Sequence, residues 1–542
     1  MAAADPPTVA LPRWTGTLPW LAGLLLVGSA LAPIDNSDVP MHAAVGRWML
    51  QHGRTLPTPD PLVWTDRGGD QPHELLTQLV IGAVADMGGL GALKGLLALV
   101  ALGCVALLVR IGRQRHFDNS AVALLVAGWS VLVLPHLALR PHALAWLFAL
   151  AVIGLGVGDP RPWGRARAVG WGLLTVLWAN AHSSAAIAPM YAGLGLAGVL
   201  MAHRSALRQA PWREPVLRTA TLAIATLCQP MGMGIVGYVL QSQAINGALS
   251  DEWQPLLRAD VARTQPLLLA VFAALALRTL WVAVRERGTP AVADALPALV
   301  ALGHAAATRR MTAFLFVALL FVLARPVAFA RIGAGAAALL CALAGGRAAA
   351  LHAGGPVVDG RAFPVFATAF LRETRLTGRL FNPDAWGGYL SWHLAPQQQV
   401  YLDGRWLLAG RTVVEDGIAL QVRAPGHARL FDKYGLDVFV QRQRDYLRVP
   451  PPDPERFQLA WQDGLAVVLV REGANLAANR RAICAFYEAY PAVRSHAAWP
   501  RRLRAPPGQR APTDVPAMWP ACAVVSRTSA RPAAPPGAGS SP

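Results

Sequence analysis

Apolar residues fill the first 351 positions in long runs separated by short polar breaks. The runs fall at 18–34, 90–110, 119–135, 141–158, 168–181, 183–203, 216–229, 265–284, 291–304, 310–325 and 331–351. A helix that crosses a bilayer takes about 20 apolar residues, somewhat fewer when its ends are anchored, so the pattern predicts about eleven membrane-spanning helices. Residues 74–88 follow a different rule. Leu75, Leu76, Leu79, Val80, Ala83, Val84 and Met87 recur at helical spacing, with Glu74, Thr77, Gln78 and Asp86 elsewhere on the turn. Fifteen residues with a polar face predict an interfacial helix rather than a span. After residue 352 the rhythm shortens. Strands are predicted at 379–382, 399–402 and 436–441, helices at 386–394 and 426–434, and a hairpin at 457–461 and 466–471 about Gln462-Asp463-Gly464. The chain therefore reads as mainly α: a polytopic membrane helical domain at 18–351, then a small α/β domain at 352–498. The segment 499–542, rich in Pro, Arg and Ala, predicts disorder.

Composition sharpens this picture. Of 542 residues, 54% are hydrophobic and 15% charged, against about 25% charged in a typical soluble chain, which excludes a water-soluble enzyme. The net charge of +18 is almost entirely arginine, since Lys94 and Lys433 are the only lysines. In the membrane part these arginines gather in short connections at 110–115, 161–167, 204–218, 285–287 and 325–331. All five connections fall on one side if 74–88 does not cross, and the positive-inside rule makes that side the cytoplasm. The basic charge is thus explained by topology, and no nucleic acid is expected as a partner. Residues 1–17 are then cytoplasmic, 35–89 form the first external loop, and the last span delivers the α/β domain to the periplasm or the cell exterior. The first apolar run is followed by further spans and reads as an anchor rather than a cleaved signal. Cys104, Cys228 and Cys341 read as small apolar residues. No Cys/His metal spacing occurs, and Cys484 and Cys522 could pair in an oxidising compartment.

The first external loop stands out by charge. Between residues 35 and 74, Asp35, Asp38, Asp60, Asp66, Asp70 and Glu74 face Arg47, Arg54 and Arg67, so six acids against three bases leave −3. If 38–50 is helical, Asp38 and His42 share a face, because residues four apart are neighbours. Pro40 suits the first turn, with Asp38 as N-cap. Two readings stay open here. Asp38 either only caps this helix or supplies a carboxylate to a site, and His73-Glu74 either only begin the next helix or join that site. Metal binding by Asp38, His42, Asp60 and Glu74 is chemically open, although the spacing matches no specific metal pattern.

The run Asp38-x-x-x-His42-x-x-x-Gly46-Arg47-Trp48 directly after the first span resembles bacterial membrane proteins of the GT-C glycosyltransferase superfamily. Thr58-Pro59-Asp60-Pro61 and His73-Glu74-Leu75-Leu76 fit the same group. Further matches are Leu139-Arg140-Pro141-His142, Trp178-Ala179-Asn180-Ala181-His182, Gln229-Pro230-Met231-Gly232, Glu252-Trp253-Gln254-Pro255 and Thr308-Arg309-Arg310. Trp386-Gly387-Gly388-Tyr389-Leu390 and Val400-Tyr401-Leu402-Asp403-Gly404-Arg405 match a subfamily with an external tail. The resemblance spans roughly residues 18–472. It implies a GT-C-like fold and transfer of a sugar from a polyprenyl-phosphate donor to a cell-envelope glycan, lipid or protein. It also implies an inner-membrane location.

Such a reaction needs a base for the acceptor hydroxyl and positive groups for the departing phosphate. The resemblance assigns Asp38 as base and Asp60 as a second acid. His42, His73, Glu74, Arg140, His142, Asn180, His182, Trp253, Arg309 and Arg310 are the expected substrate-binding residues. The sequence marks no certain cofactor, and a divalent cation is an alternative holder of the phosphate. Asp403 and Arg405 are acceptor-side candidates, or else an internal ion pair of a turn. Two other functions fit the same pattern: a non-catalytic relative that binds lipid-linked glycans, and a transporter. The second lacks support from internal repeats or polar groups at mid-bilayer.

Overall fold

The computed structural model describes residues 13–65, 72–205, 207–286, 289–325, 330–448 and 456–490. Asp66, Arg67, Asp70, Cys522 and the segment 499–542 lie outside the described residues. The chain divides into two compact units, each built from separated stretches. A membrane unit draws on Met1–Ile34, Val45–Thr55 and Gln71–Val357, and an α/β unit on Asp35–Ala44, Leu56–Asp70 and Val358–Pro542.

In the membrane unit every one of the eleven apolar segments is helical. Five described helices are long and apolar enough to cross a membrane: Leu75–Gln114, Asn119–His136, Ser183–Ala202, Pro266–Arg285 and Arg331–His352. Thr15–Ser29, Pro141–Val157 and Ala295–Ala307 are shorter apolar helices. The segments at 168–181, 216–229 and 310–325 also form helices but fall short of that length and apolarity. Arg213–Leu227, for example, carries Arg213, Glu214 and Arg218.

Helix Leu75–Gln114 is broken at Gly88 and Gly89, the latter at φ +64°. Only glycine takes that conformation at little cost, so the chain changes direction where the amphipathic stretch ends and the apolar one begins. Between helices Leu18–Ser29 and Ala330–His352, backbones nearly touch. A Cβ on Gly28 would lie 2.1 Å from the Gly345 carbonyl oxygen, and one on Gly345 would lie 2.0 Å from that of Leu24. Small residues at such crossings let helices pack closely where lipid provides no hydrophobic drive. At the arginine-rich connection, buried Arg218 donates to the carbonyls of Val157 (2.9 Å), Asp159 (2.8 Å) and Arg161 (2.8 Å) and to Glu214 (2.9 Å). Its guanidinium satisfies the backbone of a turn that has left its helix.

The α/β unit is built on a four-stranded sheet of β1 (Arg379–Phe381), β2 (Leu436–Arg442), β3 (Phe457–Gln462) and β4 (Ala466–Arg471) in the order β1-β2-β4-β3. β1 runs parallel to β2 and the other pairs are antiparallel. The central pair sets Val438, Phe439 and Val440 against Val470, Leu469 and Val468, a near-continuous apolar run as expected for strands covered on both faces. Phe370, on helix Val365–Thr374, stacks on Trp461 at 5.2 Å and meets Phe486 of helix Leu476–Ala489 edge-on at 5.0 Å.

One predicted strand is corrected. Residues 399–402 do not join the sheet. Val400 instead pairs with the first loop, its N–H donating to Leu62 O (3.0 Å) and its carbonyl accepting from Trp64 N (3.1 Å). Beside it, helix Asp384–Leu394 passes so close that a Cβ on Gly387 would lie 1.8 Å from Leu402 O. The paired glycines therefore serve packing, and no phosphate loop is formed.

Candidate active site

The sequence-predicted residues fall into two clusters, one in each unit. In the α/β unit, helix Asp38–His52 begins with Asp38 as its first helical residue. The N-cap assignment of Asp38 is thereby corrected. The helical bond series opens at Ser37, whose carbonyl accepts from Met41 N at 3.2 Å, while Asn36 Oδ1 accepts from the Asp38 N–H at 2.9 Å. His42 lies one turn further on and is buried.

Pairing of 62–64 with Val400 brings Asp60 to Asp403 and Arg405. The Arg405 guanidinium donates to Asp60 Oδ2 through Nη1 (2.6 Å) and to Asp403 through Nε (3.0 Å) and Nη2 (2.8 Å). Asp60 Oδ1 accepts from the N–H groups of Leu62 (2.6 Å) and Val63 (3.2 Å), so both oxygens of this carboxylate are engaged. The two acid side chains are each 1% exposed. Gly404, at φ +93°, lies between Asp403 and Arg405 in the chain, and a Cβ there would stand 2.9 Å from Asp38 Oδ1. Glycine thus permits the backbone conformation and lets the Asp38 carboxylate approach the loop.

A further acid completes this cluster. Asp384 accepts a hydrogen bond from Trp406 Nε1 at 2.9 Å. Burial raises its carboxyl to about 7; the Trp406 bond opposes the rise, and the charges of Asp38 and Asp403 add to it. Asp384 follows a proline at the start of a helix, so its only local signal is that of a first-turn acid. Sequence reasoning did not single it out.

In the membrane unit, Arg140 donates to Glu252 at 2.7 Å. Arg310 stands over the Trp253 ring at 5.4 Å and reaches His142 Nδ1 at 3.5 Å. His142 Nε2 lies 2.9 Å from the His136 carbonyl; a carbonyl only accepts, so Nε2 carries the proton and Nδ1 faces Arg310 as an acceptor. Burial alone would raise Glu252, but Arg140, Arg310 and His136 outweigh it and hold the carboxyl down at about 2. Next to this group, His182 Nδ1 accepts from Ser184 N at 3.0 Å and Nε2 lies 3.8 Å from Glu74. Burial pushes His182 down to about 3; Glu74 opposes this, and Arg310, His73 and Arg140 reinforce it. The imidazole is therefore neutral at physiological pH. His73 Nε2 lies 3.4 Å from Glu74 and shares a 2.7 Å hydrogen bond with the Tyr238 hydroxyl. Tyr238 carried no sequence signal, because its helix, Gly234–Leu249, has no clear periodicity and the motifs flanking it stop short of this residue.

Two expected binding residues are tied to backbone instead. Asn180 donates to the carbonyls of Val176 (2.9 Å) and Cys228 (3.0 Å), and Arg309 donates to Asp251 O. Among the described residues no group of three or more His, Cys, Asp or Glu is placed to hold a metal ion.

No protein-family model and no curated protein matches the sequence. Solved structures do match. The oligosaccharyltransferase AglB of Archaeoglobus fulgidus, in complex with an inhibitory peptide and a dolichol-phosphate, superposes with a TM-score of 0.54 at 11% identity, over 79% of this chain and 69% of that one. ArnT of Cupriavidus metallidurans matches in the apo state with a TM-score of 0.51 at 15% identity, over 86% and 98% of the two chains. Bound to undecaprenyl phosphate, ArnT matches with a TM-score of 0.50 at 14% identity, over 86% and 99%. Both are GT-C glycosyltransferases. At these identities the likeness is one of fold: the chain has the GT-C fold, a helical membrane-embedded part joined to a small α/β part.

Proposed function

We propose that this protein is a membrane glycosyltransferase that moves a sugar from a polyprenyl-phosphate donor to an acceptor hydroxyl at the outer face of the inner membrane. What carries the reading is the division of charge on a GT-C fold. The membrane unit offers Arg140 and Arg310 beside Trp253, and the α/β unit offers Asp38 at the start of a helix among buried, fixed acids. The dolichol-phosphate and undecaprenyl phosphate in the structures of AglB and ArnT support the donor class.

Asp38 takes the proton of the acceptor hydroxyl, whose oxygen attacks the anomeric carbon. The bond from that carbon to the phosphate oxygen breaks, and the polyprenyl phosphate leaves with the electron pair. A single displacement of this kind inverts the anomeric centre. Base catalysis of this type contributes roughly 10²–10⁴-fold. Within the membrane unit, Arg140 and Arg310 are the groups suited to charge developing on a phosphate, since fixed positive groups act most effectively where water is excluded. Asp60 and Asp403, both engaged by Arg405, hold the loops around Asp38 rather than react. His182 and His142 act as neutral donors and acceptors. A divalent cation is an alternative to the arginines, and activity that survives EDTA argues against it.

Profiling cell-envelope glycans in a deletion strain tests the reading. One envelope component should lose a sugar that the wild-type gene on a plasmid restores. An unchanged glycan profile with intact membrane insertion of the protein would overturn it.

A further inference from the structure

Away from both clusters, the α/β unit holds a cavity of about 260 Å³ at the C-terminal ends of helices Val365–Thr374 and Asp384–Leu394. Its floor is buried Leu371, Leu376 and Leu394, and its rim carries Arg372, Arg375 and His393. Among the described residues neither the Arg372 nor the Arg375 guanidinium is hydrogen-bonded or ion-paired.

A favourable interaction with helix C-termini would account for one such cation. It does not account for two of them over an apolar floor, because the backbone closes these helix ends unaided. Arg375 N donates to Leu371 O (2.9 Å), Ala395 N to Ser391 O (3.1 Å) and Gln398 N to Leu394 O (3.0 Å). Arg375 also sits at φ +48°, a capping conformation usually left to glycine. Buried Gln398 closes the cavity wall, its amide donating to Leu376 O at 3.1 Å.

Each wall selects a ligand feature. Guanidinium groups favour a carboxylate or phosphate, which they can hold through paired bonds. The leucine floor favours an apolar C–H face, such as one face of a sugar ring. The volume lies just under the lower end of drug-sized pockets, about 300 Å³, and so suits a single ring. We propose that this cavity binds one acidic monosaccharide unit, bearing a carboxylate or a phosphate. The proposal does not depend on the transfer reaction and would stand if the protein only presented glycans.

Calorimetric titration of the full-length protein in nanodiscs tests it, with glucuronate, glucose 6-phosphate, glucose and inorganic phosphate as probes. At least one acidic sugar should bind roughly tenfold or more tightly than glucose and than inorganic phosphate, and Arg372→Gln/Arg375→Gln should weaken it by at least a similar factor. Both positions are exposed, and an unchanged unfolding midpoint of the double variant will show that folding is intact. Arg372→Lys, which keeps charge but loses paired geometry, should fall between the two. Equal binding of glucose, equal binding of inorganic phosphate, no saturation by either acidic sugar in the millimolar range, or an unaffected double variant would each overturn the proposal.

Discussion

The two clusters solve opposite electrostatic problems. In the membrane unit, Arg140 and Arg310 stand with Glu252 and, close by, Glu74, among histidines kept neutral or acceptor-facing. In the α/β unit, Asp60 and Asp403 share the Arg405 guanidinium, and Asp38 and Asp384 lie close by. A guanidinium held beside an aromatic ring and an imidazole suits an incoming phosphate. Burial instead pushes Asp384 up to about 7, and the neighbouring charges of Asp38 and Asp403 add to the rise. The contrast teaches that guanidinium groups hold an acid ionised in one cluster, whereas burial and neighbouring carboxylates push an acid toward its neutral form in the other.

Breaking the acidic side should have the larger effect on folding. Arg405→Met leaves the Asp60 and Asp403 carboxylates buried without their cation, a change that typically costs about 3–5 kcal/mol. Hydrogen exchange should show protection collapsing along 56–65 and 399–405, and unchanged protection would reject the ion-pair role. Next in size is the basic side. Arg310→Gln should weaken undecaprenyl phosphate binding roughly 10- to 100-fold, the scale of one lost charged hydrogen bond of about 1.5–3 kcal/mol. A fluorescence titration in nanodiscs reads this directly, and wild-type affinity in the variant would place the phosphate elsewhere.

The smallest effect is on pH dependence. The folded-state value of Asp384, about 7, stands above its ordinary 3.8, so between about pH 4 and pH 7 the folded protein holds a proton that the unfolded chain has released. Stability therefore falls as pH rises through that window and levels off above it. Asp384→Asn should flatten this slope and unfold at a higher temperature than wild type at pH 8. Equal slopes in thermal scans of the two proteins would contradict the assignment.

Much of the scaffold was legible in the chain. Apolar runs of spanning length, the amphipathic stretch before Gly88, the helix beginning at Asp38 and the hairpin of β3 and β4 all follow from local periodicity. The partners within each cluster were not. Asp60 and Arg405 meet across 345 residues, through a backbone pairing between 62–64 and Val400 that neither stretch announces. The same residues 399–402 read locally as a sheet strand because alternation records burial, not the identity of the partner strand. Tyr238 and Asp384 were silent for a related reason: their chemistry arises from neighbours distant in sequence, and no motif marks them.

The most direct test of the account replaces Asp38 in the deletion strain and measures the restored envelope sugar against protein level in the membrane. Asp38→Asn, which keeps the shape and removes the base, should restore roughly 10²- to 10⁴-fold less transfer per molecule than wild type at equal membrane abundance. Transfer by Asp38→Asn at the wild-type rate would contradict the assignment of Asp38 as the base.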